Sequence, residues 1–92
     1  MDVKEAVKAA KGYVADLFAD EGLTNLGLEE IERDDRTGIW RVTVGFSRPW
    51  NTVRTALTAL SGEAAPKRAF RVVSIKADGT VVSVKRRDVV SD

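Results

Sequence analysis

The sequence predicts an α+β domain in which one N-terminal helix packs on a four-stranded antiparallel meander, in the order α-β-β-β-β. Three observations carry that expectation. Apolar residues recur at helical spacing over the opening segment, they then alternate at strand spacing, and Phe70 to Arg87 holds two alternating stretches joined by Asp78-Gly79. A chain of 92 residues fits one domain, 1–92, able to bury about 60% of its unfolded surface but too short for two cores.

The helix is expected to start at Asp2, whose carboxylate, with Glu5 three residues on, forms a capping box over the free amides of the first turn. Val3, Val7, Ala10, Val14 and Leu17 share one face, with Ala6 and Phe18 on its flanks, while Lys4, Lys8, Lys11 and Asp16 point away. Gly22 suits the left-handed position past a helix end. Gly12, inside the helix, marks either a close backbone approach or a tolerated cost.

From Thr24 to Arg33, Leu26 and Leu28 are out of phase with Ile31, and one extra residue between Glu29 and Glu30, a β-bulge, restores all three to one face. Asp34-Asp35-Arg36-Thr37-Gly38 is a polar hairpin loop. Trp40, Val42, Val44 and Phe46 then alternate with Arg41, Thr43, Gly45 and Ser47, so the first set faces a core and the second faces solvent or a ligand; Pro49 is expected to end this strand. In the last hairpin a two-residue type I′ turn at Asp78-Gly79 pairs Ile75 with Val82 and Val73 with Val84, turning all four toward the helix. Phe70 has the opposite parity, and a second bulge near Arg71 and Val72 is expected to bring it inward.

Between the second and third strands, Val53, Ala56, Leu57 and Leu60 lie at i, i+3, i+4 and i+7. That spacing predicts about two to three turns of helix capped at Asn51 and ended by Gly62. Residues 63–66 then read as a loop. This insertion is more than a plain meander needs, and Trp50, Val53, Leu57 and Leu60 are its candidate partner-binding residues.

The chain contains neither cysteine nor histidine, which excludes disulfides, thiolate metal sites, a cysteine nucleophile and a histidine base. Ser47 and Ser74 have no histidine to activate them, and neither a phosphate-binding glycine loop nor a nucleophile elbow occurs. Asp34 and Asp35, with Glu32, offer fewer ligands than an oxygen-only cation site needs, and turn chemistry accounts for them. The expectation is a protein that is not an enzyme, with no cofactor and no metal. Acidic residues early in the chain and the lack of a continuous apolar run predict neither a signal peptide nor a membrane span, and hence a cytoplasmic location.

Net charge of +1 hides an asymmetry: residues 1–35 carry ten acidic side chains against four basic, and the remainder eleven basic against four acidic. Antiparallel strands would mix the two signs. Lys67, Arg68, Arg71, Lys85, Arg86 and Arg87 nevertheless make the last hairpin a candidate nucleic-acid contact through phosphates. The pI of about 8.1 and the lack of aromatic pairs among those cations favour a solvated strand face instead.

With the elements in this order the chain resembles the cystatin-like group of folds, in which one helix lies across a curled antiparallel sheet. Phe70-Arg71-Val72-Val73-Ser74-Ile75-Lys76-Ala77-Asp78-Gly79-Thr80-Val81-Val82 also resembles the closing hairpin of PepSY-type domains. The resemblance implies an inhibitory or regulatory binding module. The first hairpin loop, Asp34 to Gly38, is charged where cystatins carry a Gln-Val-Val-Ala-Gly type sequence, so it does not imply inhibition of cysteine proteases. The expected function is therefore a protein-interaction or regulatory module that binds a protein partner or a second copy of itself, with a nucleic-acid-binding accessory domain as the alternative.

Overall fold

A computed structural model describes residues 1–53 and 65–87, with side chains described outside 50–53 and 65–67. Helix α1 (Val3–Leu17) is followed by a single 3₁₀ turn (Ala19–Glu21) and by strands β1 (Thr24–Arg33), β2 (Trp40–Val53), β3 (Ala65–Ile75) and β4 (Val81–Arg86). The strands form one antiparallel sheet in the order β1-β2-β3-β4, and α1 packs against β1, β2 and β3. This is the α+β meander expected from the sequence. The short helix expected over 51–62 falls largely outside the described residues, but β2 and β3 claim its flanks.

Asp2 caps α1 as expected: its Oδ1 accepts from the Glu5 backbone N–H at 2.8 Å. The buried line of the helix is Ala6, Ala10 and Val14, each with no exposed surface. The face is therefore rotated from the one expected, and Val3 (50% exposed) and Leu17 (54% exposed) lie at its margins. Two alanines on the contact line let the helix settle close to the sheet, and the larger valines take the flank. Gly22 ends the segment at φ 63° and ψ 47°, in the left-handed region.

Against that line the sheet presents Trp40, Val42, Val44 and Phe46 from β2 with Val73 and Ile75 from β3, all buried. Leu26 and Ile31 from β1 pack against this core from its edge. Leu28 pairs with Val44 and Glu30 with Thr43, so Glu29 is the extra residue of the expected bulge, and a further register shift lies between Thr24 and Gly27. Phe18 meets Phe46 with ring centroids 5.4 Å apart and closes the core at the helix C-terminus.

Five local expectations are corrected. Pro49 does not end β2: the strand continues to Val53, with register broken between Ser47 and Thr52, and proline is tolerated where the ladder is interrupted. Ala65 and Pro66, expected in a loop, pair with Val53 and Thr52 as the start of β3. Phe70 stays on the face away from the helix, opposite Gly45, because β2 and β3 keep an unbroken register from Ser47–Arg68 to Trp40–Ile75.

The β3–β4 turn is not type I′. Gly79 alone has positive φ (94°), Gly79 N donates to Lys76 O and Lys76 N donates to Thr80 O, the pattern of a three-residue loop with a glycine bulge. That extra loop residue pairs Ile75 with Val81 rather than Val82, and a register shift at Val82 then restores the expected pairing of Val73 with Val84, so Val81 packs on the core and Val82 is 52% exposed.

Candidate functional site

Rotation of α1 leaves a groove of about 750 Å³ along its flank. Val3, Val7 and Ala15 of the helix and Leu26 and Leu28 of β1 make its apolar lining. Among the described residues no other strand contributes, so the groove opens over the β1 edge of the sheet. Leu28 is 42% exposed and Val3 is 50% exposed, so both offer apolar surface to an occupant. Lys4, Lys8 and Lys11 rim the groove at i, i+4 and i+7, one above the other on the helix flank.

Gly12 lies in the same groove. Among the described residues a Cβ built there meets nothing within 4 Å, so no close approach among them requires glycine, although glycine in a helix interior costs about 1 kcal/mol relative to alanine. Of the two explanations open from sequence, close packing against the described residues is excluded.

The opposite face of the sheet is covered by its own charges. Glu29 Oε1 accepts from Arg68 Nη2 at 2.9 Å across Gly45, and Glu30 Oε2 accepts from Arg87 Nη1 at 3.0 Å, with Arg87 Nη1 also reaching Thr43 Oγ1 at 3.3 Å. Thr43 and Ser47, expected to face solvent or a ligand, are instead 4% and 3% exposed. The acidic first third and the basic remainder are thus interleaved by the antiparallel sheet.

A third cluster sits past the helix C-terminus. The guanidiniums of Arg48 and Arg71 lie 5.4–5.9 Å from the ring centroids of Phe18 and Phe46, a cation–π arrangement, and Arg48 pairs with Glu21 at 3.2 Å. Burial first, then the neighbouring charges of Arg48 and Arg86, lower the pKa of Arg71, and Glu21 opposes them.

The structure separates the basic residues singled out for nucleic acid. Arg68, Lys85 and Arg87 belong to the face away from the helix, where Arg68 and Arg87 are ion-paired, while Arg71 and Arg86 share the helix face. The Lys67 side chain lies outside the described residues. So do the side chains of Trp50 and Val53 and the whole of Leu57 and Leu60. The groove itself was missed from sequence because Val3 and Val7 fit the core pattern; the signal available was the pair of alanines at 6 and 10, which moves the line of closest contact.

Among the described residues no group of three or more acidic side chains is placed to hold a metal ion, and no helix is long and apolar enough to cross a membrane. No protein-family model, curated protein or solved structure matches the chain.

Proposed function

We propose that this protein is a non-enzymatic protein-interaction module that docks its partner in the groove between α1 and β1. The observation that carries this reading is an apolar groove of about 750 Å³ with a leucine and a valine left open in it. The α-β-β-β-β order, similar to that of cystatin-like and PepSY-type binding domains, supports the same role. So does the sheet's far face, where arginine–glutamate pairs occupy the space that a ligand would need.

Leu28→Asp and Ala15→Glu test it, because both positions are exposed and each change adds charge to the groove lining. Affinity capture and sedimentation velocity are expected to show association by the wild type and its loss in both variants, with the far-ultraviolet circular dichroism unchanged. Association that survives both substitutions would refute the groove as the docking site.

A further inference from the structure

We infer that the occupant of the groove is an acidic amphipathic helix of about three turns, supplied by a partner protein; this deepens the interaction reading above and rests on it. Charge is the first ground. Lys4, Lys8 and Lys11 form one rim about 10 Å long, and none of them makes an ion pair among the described residues, whereas the β1 carboxylates Glu29, Glu30 and Glu32 each have an arginine. The apolar lining of Val3, Val7, Ala15, Leu26 and Leu28 runs beside that rim. A segment carrying carboxylates alongside its apolar stripe complements both features.

The backbone of β1 decides between a strand and a helix as the occupant. Addition of a strand needs a regular edge with an even row of free backbone groups. Beside the groove that edge is broken twice, between Thr24 and Gly27 and between Leu28 and Glu30, so only Gly27 and Leu28 stand in register there. Bulges of this kind block edge pairing. A helix satisfies its own backbone and needs only side-chain contact. From Val3 to Ala15 the groove runs about 18 Å along α1, which matches about three turns of partner helix. Gly12, with open space where its side chain would be, lets that helix approach the α1 backbone.

The test titrates three labelled 14-residue peptides into the full chain and reads fluorescence anisotropy: one with leucines at i, i+3, i+4 and i+7 flanked by glutamates, one with the same leucines flanked by lysines, and one with the glutamate composition scrambled. Only the first is expected to bind. Lys4→Glu/Lys8→Glu should weaken it about tenfold or more, as two favourable pairs become repulsive, and Gly12→Leu should abolish binding while Gly12→Ala preserves the fold. Equal binding of the lysine-flanked peptide would overturn the acidic assignment and leave the groove standing as a docking site. Failure of all three peptides, with concentration-dependent self-association that Leu28→Asp removes, would assign the groove to a second copy and overturn the inference alone. Failure of all three with no association in any variant would overturn both readings.

Discussion

Gly45 shows how one missing side chain organises the far face of the sheet. It pairs with Gly27 on one side and Phe70 on the other, and a Cβ there would come within 2.6 Å of Arg68 Nη2 and 2.8 Å of Glu29 Oε1. The glycine is therefore the gap through which the Glu29–Arg68 pair crosses β2. Both contacts are with the ends of flexible side chains, so alanine can be accommodated by displacing the pair. Two small effects then oppose each other: loss of a partly exposed ion pair, up to about 1 kcal/mol, and relief of strand glycine, about 0.5–1 kcal/mol. Gly45→Ala is expected to change stability by less than about 1 kcal/mol and to make Glu29→Gln silent in a double-mutant cycle read by urea unfolding. An undiminished Glu29→Gln effect in the alanine background would show that the pair does not depend on the gap. Two positions along, the Ser47 hydroxyl is buried with no hydrogen-bond partner among the described residues. An unsatisfied buried polar group costs about 1–3 kcal/mol, so Ser47→Ala should raise the urea midpoint, and a fall would mean that the hydroxyl is satisfied by water.

At the scale of the element, the bulge in β1 keeps its apolar residues on one face. Removing Glu29 leaves Leu28 opposite Val44 and Glu30 opposite Thr43 as consecutive pairs, so Leu26, Leu28 and Ile31 all keep their side of the sheet. Removing Glu32, from the regular part of the strand, shifts everything before it by one and turns those three outward. Deletion of Glu29 is expected to cost no more than about 1 kcal/mol, the Arg68 pair, and deletion of Glu32 about 2 kcal/mol or more from lost apolar burial; equal losses in urea unfolding would contradict this register. The bulge was legible because three apolar residues with a phase change admit one simple repair. The turn at Asp78-Gly79 was not, because the same dipeptide serves a two-residue loop and the end of a three-residue one, and only the backbone of Lys76 and Thr80 distinguishes them. Phe70 was misplaced for a related reason: its side of the sheet looked bare in sequence, while the charges on that face form the pairs Glu29–Arg68 and Glu30–Arg87, whose partners lie far apart along the chain.

Over the whole molecule the two ends of the sheet have different chemistry. Trp40 opposite Ile75 sets the β1–β2 and β3–β4 turns side by side, and a Cβ on Gly38 would lie 3.8 Å from that of Ala77, with Met1 of the helix end 3.6 Å from the corresponding position on Gly79. The arginines Arg48, Arg71 and Arg86 gather at the far end, beside Phe18 and Phe46 and across the β3–β4 pair. The turn end instead depends on two carboxylates. Asp34 Oδ1 accepts from the Arg36 backbone N–H and Asp78 Oδ1 from that of Thr80, each at 2.9 Å. These hydrogen bonds hold both groups below their ordinary 3.8, and Arg41, 3.7 Å from Asp34, acts in the same direction. Because the folded-state values lie below the unfolded ones, the stability they contribute is fully present above the ordinary carboxylate value and is lost as pH falls through the lowered ones. Acid should therefore loosen the turn end first. The backbone amide resonances of Arg36 and Thr80 are expected to titrate below pH 3.8, with faster hydrogen exchange there while the Phe18–Phe46 end stays protected, and Asp34→Asn/Asp78→Asn should remove that acid-dependent step. Amides that titrate at the unshifted carboxylate value, or exchange that rises equally at both ends, would show that the two turn carboxylates do not hold this end of the sheet.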